Sequence, residues 1–220
     1  MQNALHTYAQ LARVARRGFT LIELLAVIMI IGILSVFLIP RIPEAIDAAK
    51  VTACDQNLKE IYKGLMLYDQ KFGNLPSHGG VRFFTDLVTR KVYENVPGTA
   101  KKLTCPGVKT NSLASLTGLP PEQWFADAEA IDGDSSSYAG RDIKEYPLRK
   151  FPGSGREPLV ADDNDPEMNH RTQTLVLYDD GNVERMEIML LVESGELGED
   201  ESLIVGPDSQ VEVLRKLSLD

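Results

Sequence analysis

An uninterrupted apolar stretch near the N-terminus is the strongest pattern in this sequence. Residues 19–39 contain one charged side chain, Glu23, among residues that are otherwise apolar, small or hydroxyl-bearing. As an α-helix rising about 1.5 Å per residue, this stretch would span roughly 31 Å, close to the thickness of a bilayer core. Pro40 ends the apolar run, and a proline kinks a helix that continues past it. The pattern predicts a membrane-spanning helix with a kink at Pro40.

The helical pattern continues beyond Pro40 but becomes amphipathic. Apolar and aromatic side chains recur there at spacings of three and four residues, at Leu58, Ile61, Leu65, Tyr68 and Phe72. Gly73 and Pro76 are residues that stop a helix. We therefore expect a helix over residues 40–75 whose apolar stripe packs on a globular head.

The head, residues 76–220, shows β patterns separated by turns. The clearest pair is residues 172–178 and 183–191, because the intervening Asp180-Gly181 is typical of a tight hairpin. Weaker signals predict a strand at 158–161, a strand beginning at Tyr138, a short helix at 81–89, and a strand pair or short helix in the tail 193–220. We predict an α+β fold with a small antiparallel sheet packed against the second half of the long helix.

Charge narrows the range of partners. The chain has a net charge of −9, while the first eighteen residues hold three arginines and no acid. Removing that segment would take the net charge to −12. Binding of nucleic-acid phosphates requires clustered Lys and Arg, so we expect no nucleic-acid partner. The basic residues before the apolar stretch predict that the N-terminus stays in the cytoplasm and the head lies outside.

The two cysteines, Cys54 and Cys105, are too few for a disulfide scaffold and do not match a four-ligand zinc pattern. If the head lies outside the cytoplasm, oxidation is allowed, and we expect one disulfide between them. The loop it would close has about fifty residues, for which the chain-entropy model suggests roughly 4 kcal/mol of stabilisation. The sequence shows no phosphate loop, Ser/His/Asp or metal-histidine motif.

The segment from Arg16 to Glu23 resembles the class III prepilin signal of type IV pilins and type II secretion pseudopilins. A secretory signal peptide is cut after its apolar region, whereas Gly18 precedes the apolar region here. The resemblance implies that a prepilin peptidase cuts between Gly18 and Phe19 and that the new Phe19 amine is methylated. The match extends to Pro40, where pilin-like proteins often carry a proline.

Glu23 is the functional candidate within the apolar segment, because an ionisable group in a membrane is costly. The resemblance implies that Glu23 pairs with the Phe19 amine of a neighbouring subunit during assembly. The alternative is an interfacial side chain that reaches the lipid headgroups, since Glu23 lies near the helix end.

His170 and Asp180-Gly181 resemble the His-X9-Asp-Gly signature of a large group of bacterial pilin-like proteins. A shared proton relay is disfavoured, because ten residues of regular strand would separate the two side chains by roughly 33 Å. We interpret Asp180 as a turn residue, Gly181 as a position of positive φ, and His170 as a structural residue at the strand entry.

Three acidic residues, Asp162, Asp163 and Asp165, are candidate calcium ligands, because calcium prefers six to eight oxygen atoms. Some type II pseudopilins bind calcium in a loop of the head, which the resemblance brings into consideration. The alternative is a solvated acidic loop without a metal, since the spacing lacks the glycine and distal glutamate of an EF-hand.

These features predict a structural subunit and not an enzyme. We expect a leader at 1–18, a transmembrane helix at 19–39, an amphipathic helix at 40–75 and a periplasmic head at 76–220. The implied partners are prepilin peptidase, other pilin-like subunits, a secretion or pilus assembly platform and the inner membrane. We expect no cofactor, with calcium as the one alternative. Two alternatives remain: a minor tip subunit that binds cargo or a surface, and a membrane-anchored periplasmic enzyme.

Overall fold

A computed structural model describes residues 19–109, 112–162 and 169–220. The chain divides into two compact units, Met1–Glu44 and Ala45–Asp220, and we describe each by itself. Helix α1 occupies Leu21–Leu38, a 3-10 turn follows at Ile39–Arg41, and helix α2 occupies Ile42–Phe72.

Helix α1 has no buried residue. Its large apolar side chains are more than two-fifths exposed, from Val27 at 44% to Leu21 at 81%. In the described part of the chain, the helical stretch that begins with α1 is long and apolar enough to cross a membrane. The regular α-helix gives way to the 3-10 turn around Pro40, whose ring nitrogen has no hydrogen to donate to a helical bond.

In the second unit, α2 buries one stripe of side chains against the head. The buried positions recur every three or four residues, as a helix with one packed face requires: Val51, Cys54, Leu58, Ile61, Gly64, Leu65 and Tyr68. The predicted stripe is confirmed except at its last member. Phe72 is 42% exposed, because it is the final residue of the helix and contacts only the ring of Tyr68 and the ammonium of Lys71 among the aromatic and cation–π pairs described. The helix stops where predicted, since Gly73 has φ +74°.

The predicted α+β architecture is confirmed by a five-stranded antiparallel sheet in the order β4-β3-β2-β1-β5. The strands are β1 (Tyr138–Arg141), β2 (Pro158–Asp162), β3 (Gln173–Tyr178), β4 (Val183–Glu187) and β5 (Leu217–Ser218). Among the described residues, the remaining α-helices are α3 (Val81–Thr89), α4 (Pro97–Lys102) and α5 (Ile188–Ser194). Helix α3 has the predicted limits.

Both faces of the sheet are covered. Side chains of β3 alternate between two hydrophobic clusters: Leu175 and Leu177 join the cluster that contains α2 and α3, and Val176 and Tyr178 join a cluster built largely from the C-terminal segment. The sheet is therefore the middle layer of the head.

One prediction about the second half of the head was wrong in detail. The strand predicted to reach residue 191 ends at Glu187, because β3 begins at Gln173, the partner of Glu187, and offers no strand residue beyond it. The chain then turns into α5. Of the two alternatives predicted for the tail, a short helix is present: a 3-10 helix occupies Glu212–Lys216. The two-residue strand β5 follows it and pairs with β1.

Candidate functional site

The predicted cleavage and assembly residues lie at the start of α1. Gly18 lies outside the described residues, and Phe19 is 75% exposed just before the helix. Thr20 is the N-cap, and Glu23 is the third residue of the helix, so the two form a capping box. The Glu23 Oε2 atom accepts hydrogen bonds from the Thr20 backbone N–H at 2.8 Å and from its hydroxyl at 2.7 Å, and Thr20 Oγ1 accepts from the Glu23 N–H at 3.3 Å.

This capping box was not foreseen from the sequence. Thr-x-x-Glu before an apolar run is its sequence signature, and that signal was available. Within a single chain the Glu23 carboxylate is bound by the first turn of its own helix. Both hydrogen bonds use Oε2, so Oε1 retains the capacity to accept from another donor.

The signature residues His170 and Asp180 lie at opposite ends of β3. Asp180 belongs to the β3–β4 turn, where its Oδ1 accepts from the Asn182 N–H at 2.9 Å, and Gly181 has φ +86°. The predicted hairpin is present. His170 is fully buried just before β3. The structure thus does not bring His170 and Asp180 together, and it gives His170 different neighbours.

His170 belongs to a buried polar cluster with Cys54, Cys105 and Asp162. One ligand-type atom from each residue can be chosen so that all four lie within 4.8 Å of one another. Cys54, Asp162 and His170 have no exposed surface, and Cys105 is 2% exposed. We call these four residues the Cys-His-Asp cluster. Its members come from α2, the loop after α4, the end of β2 and the residues before β3.

The contacts within the cluster are short. Cys54 Sγ lies 3.1 Å from both carboxylate oxygens of Asp162, and Cys105 Sγ lies 3.3 Å from His170 Nε2. His170 Nε2 also lies 3.3 Å from Asp162 Oδ2. The imidazole and the carboxylate therefore face the two sulfur atoms.

Burial and mutual contacts shift the ionisation of the cluster. Burial raises the pKa of the Cys54 thiol well above its usual value, and its hydrogen bond with Cys105 raises it further. Burial also opposes ionisation of Cys105, but hydrogen bonds with Cys54 and His170 outweigh it, so the pKa of Cys105 is lowered. Burial would lower the pKa of His170, but hydrogen bonds with Asp162 and Cys105 raise it to about 10. The raised pKa favours the protonated imidazole of His170 at neutral pH.

The two cysteines are free thiols in this structure, so the predicted disulfide is not formed in it. Each sulfur is instead engaged by other polar groups: Cys54 by Asp162 and the Tyr138 hydroxyl, and Cys105 by His170. The expectation that the cysteines match no metal pattern rested on counting cysteines alone. The structure adds an imidazole and a carboxylate that lie far from them in sequence.

Only one of the three predicted calcium ligands is described. Asp163 and Asp165 lie outside the described residues. Asp162 ends β2 with no exposed surface and contacts sulfur and nitrogen atoms, so it is not part of a solvated acidic loop. Calcium prefers an all-oxygen environment, which the described neighbours of Asp162 do not supply.

A surface cleft of about 580 Å³ is a second feature of the head. Its lining includes Arg141 and Lys216, which share the carboxylate of Glu157 at 2.8 and 3.0 Å, and the basic residues Arg149 and Lys150. The buried Arg141 also donates to the carbonyl oxygens of Tyr146 and Pro158. The charges of Arg141, Lys216 and Glu157 are accounted for by their mutual pairing, and Arg149 and Lys150 add positive charge to the lining of the cleft.

Comparisons with known proteins agree with the N-terminal pattern. The prokaryotic N-terminal methylation motif matches residues 13–39. Type II secretion system core protein G of Pseudomonas aeruginosa is 41% identical over 51 residues, which make up 23% of this chain and 36% of that protein. The chain thus matches only about a third of the length of this relative. No solved structure is a significant match.

The motif, the relative and the α+β fold together support a pilin-like, pseudopilin-type family for this chain. They point to a structural subunit rather than an enzyme.

Proposed function

We propose that this protein is a filament subunit of a type II secretion or type IV pilus-like machine. The observation that carries the proposal is the methylation motif at residues 13–39 directly on a helix whose large apolar side chains are all exposed in the single chain. Such a surface is stable only in lipid or against other apolar helices. A subunit that waits in the membrane and then packs into a filament uses both environments.

The proposed life cycle has two steps. In the inner membrane, with the head in the periplasm, prepilin peptidase cuts between Gly18 and Phe19, and the Phe19 amine is methylated. The assembly platform then adds the subunit to other pilin-like subunits through α1. Motor proteins of the platform perform the work, and this chain transmits it by packing.

Glu23 gives the second step its electrostatic basis. Before cleavage the Phe19 nitrogen is a neutral amide, and after cleavage it is a cationic amine. Opposite charges about 4 Å apart attract by roughly 4 kcal/mol at an effective dielectric of 20. Glu23 can accept the amine of a neighbouring subunit at Oε1 while Oε2 keeps its bonds to Thr20.

Two variants test the two steps separately. Gly18→Val should block cleavage, because the peptidase needs close access to the backbone, and the mass of the membrane-bound chain should then include the leader. Glu23→Ala should be cleaved normally but should fail to enter sheared filaments. If Glu23→Ala enters filaments at the wild-type level, the pairing is wrong and Glu23 is an interfacial residue.

The cleft favours a second candidate, a minor tip subunit whose head binds cargo or a surface. Charge reversal at Arg149 and Lys150 would change the cleft without touching α1. A tip subunit should then keep its place in filaments and lose secretion or surface attachment. Unchanged secretion and attachment in a folded double variant would remove this candidate.

A further inference from the structure

We propose that Cys54, Cys105, Asp162 and His170 bind one zinc ion that ties helix α2 to the sheet. The site goes beyond the filament function and does not depend on it. Two cysteine sulfurs, one imidazole nitrogen and one carboxylate oxygen form a complete four-ligand set of the kind that structural zinc sites use.

The spacing of the ligand atoms supports a tetrahedral ion. Zinc bonds of about 2.0–2.3 Å imply ligand atoms roughly 3.3–3.8 Å apart at tetrahedral angles. The Cys105 Sγ–His170 Nε2 and His170 Nε2–Asp162 Oδ2 distances are each 3.3 Å, and the Cys54 Sγ–Asp162 contacts are 3.1 Å. Binding of a zinc ion would therefore require only small movements of the four side chains of the Cys-His-Asp cluster, which already point toward one another.

The ligand types select the metal. Thiolate and imidazole suit zinc and related transition metals, whereas calcium and magnesium take oxygen ligands. All four residues are at least 98% buried, so the ion would have no open position for water or substrate. The site is therefore structural rather than catalytic.

The surrounding groups are those that usually support zinc ligands. His170 Nδ1 is buried without a hydrogen-bond partner among the described residues, and Asp47 Oδ1 lies 3.8 Å away, close enough to accept from it after a small movement. A carboxylate behind the histidine is the common outer partner in zinc sites. The Gly107 N–H donates to Cys105 Sγ at 3.2 Å, which stabilises a thiolate.

Only a glycine fits at position 107 without a shift of its neighbours, because a Cβ there would collide with the carbonyl oxygen of Asn169 and lie 3.2 Å from Cys105 Sγ. Asn169 in turn donates to the Ser137 carbonyl at 2.9 Å and lies 3.5 Å from Asp162 Oδ1. The backbone next to both the second cysteine and the histidine is thus packed around the cluster.

A disulfide between Cys54 and Cys105 is the rival arrangement. It would use the two sulfurs but would leave unexplained why a buried carboxylate and a buried imidazole face the same point. A zinc ion uses all four groups and offsets two of the three negative charges that two thiolates and a carboxylate would otherwise bury.

Cobalt substitution tests the proposal on the full chain in detergent, reduced and stripped with a chelator. We expect one cobalt ion per chain, a cobalt–thiolate charge-transfer band and the intense visible bands of tetrahedral cobalt, all removed by one equivalent of zinc. The chain has only two cysteines, so the thiolate band can come only from this cluster. The wild-type spectrum is therefore decisive even if a ligand variant fails to fold.

Two ligand variants and two control variants test the assignment. Cys105→Ser and Asp162→Asn should weaken zinc binding at least tenfold. Two controls should bind as the wild type does: Tyr138→Phe removes only the hydroxyl beside Cys54, and His78→Gln removes a histidine that pairs with Asp86 elsewhere in the head.

Three results would overturn the proposal. One is a reduced, folded wild-type chain that gives no cobalt–thiolate band. Another is a Cys105→Ser chain that binds zinc as tightly as the wild type. The third is a natively isolated chain without zinc whose mass is lower by two hydrogens, which would show the disulfide instead.

Discussion

Helices α1 and α2 lie next to each other in sequence but differ in where their apolar side chains are buried. Helix α1 buries none of its residues within the chain, whereas α2 buries a stripe of seven. At about 25 cal/mol per Å² of apolar surface, burial stabilises α2 through this chain's own head. Burial of apolar surface can stabilise α1 only through contact with lipid or with neighbouring subunits. The comparison separates residues that stabilise the fold of the head from residues that are exposed in the single chain and that we propose to act in assembly.

The largest expected effect on stability comes from replacing one leucine by alanine, first in α2 and then in α1. Leu58→Ala in α2 removes a fully buried side chain, so we expect a loss of about 2–5 kcal/mol in the free energy of unfolding. Leu34→Ala in α1 alters a side chain that is 61% exposed and should leave the stability of the head unchanged. Urea unfolding followed by the fluorescence of Trp124, the sole tryptophan, reports the head alone. Equal losses in both variants would contradict the division between the helices.

The hairpin turn offers the next largest effect in the head. Gly181→Val places a β-branched residue at φ +86° and its Cβ 2.6 Å from the Tyr62 ring, so it should cost at least about 1–3 kcal/mol. Gly195→Val is a matched control, because Gly195 has φ +78° but nothing within 4 Å of the added Cβ. The difference between the two melting curves measures the contact with Tyr62. A larger loss of unfolding free energy in Gly195→Val than in Gly181→Val would contradict the expected effect of the contact with Tyr62, which lies on α2.

Helix α1 and the head each hold a charge that needs a partner: Glu23 in α1, and the buried Arg141 in the head. In the head, the partner of Arg141 is the carboxylate of Glu157. Burial would raise the pKa of Glu157, but hydrogen bonds from Arg141 and Lys216 outweigh burial and lower it below 4.5. Glu157→Gln leaves the buried Arg141 without its anion, and we expect a loss of about 1–2 kcal/mol, reduced from the fully buried case because Glu157 is 35% exposed.

The same pair predicts a pH dependence with a definite sign. A carboxyl with a lowered pKa in the folded state stabilises the protein above its unfolded pKa, and that contribution is lost as pH falls through the folded pKa. The difference in unfolding free energy between wild type and Glu157→Gln should therefore be constant near neutrality and shrink below pH 4.5. A difference that grows on acidification would exclude this ion pair as its source.

The smallest expected effect concerns the charge in α1. Thr20→Ala removes the N-cap hydroxyl but keeps Glu23, and N-cap loss typically costs about 1 kcal/mol. We expect Thr20→Ala to be processed and to reach filaments at a modestly reduced level, while Glu23→Ala does not reach them. Quantitative blotting of sheared filaments makes the comparison. Equal defects in the two variants would show that Glu23 acts through its cap and not through a neighbouring amine.

Local sequence patterns predicted the elements whose signals are local. Apolar spacing gave the buried stripe of α2 and the limits of α3, and a turn dipeptide gave the β3–β4 hairpin. The pattern after Glu187 was misleading because Ile188 to Leu191 are apolar in a helix as they would be in a strand. Tertiary structure decides between the two: the Ile188 N–H still donates to the Thr172 carbonyl at 2.9 Å, and the chain then leaves β3 and forms α5.

The Cys-His-Asp cluster could not be predicted in this way. Fifty-one positions separate Cys54 from Cys105, and fifty-seven separate Cys105 from Asp162, so no spacing rule connects them. His170 was noticed through a signature, and its role was assigned by its distance along one strand from Asp180. The actual partners of His170 lie around its own end of β3, away from Asp180, and only the folded sheet brings them together.

The edges of the sheet have a consequence for life in a crowded polymer. In the proposed filament, subunits held side by side would have their heads at very high local concentration, where an open strand edge would pair with its neighbours into a continuous sheet. One edge of this sheet is β5, which is two residues long, and the other is β4, which carries Glu184, Arg185 and Glu187. A short edge and a charged edge both discourage such pairing, so the head can be concentrated by its anchor without aggregating through its strands.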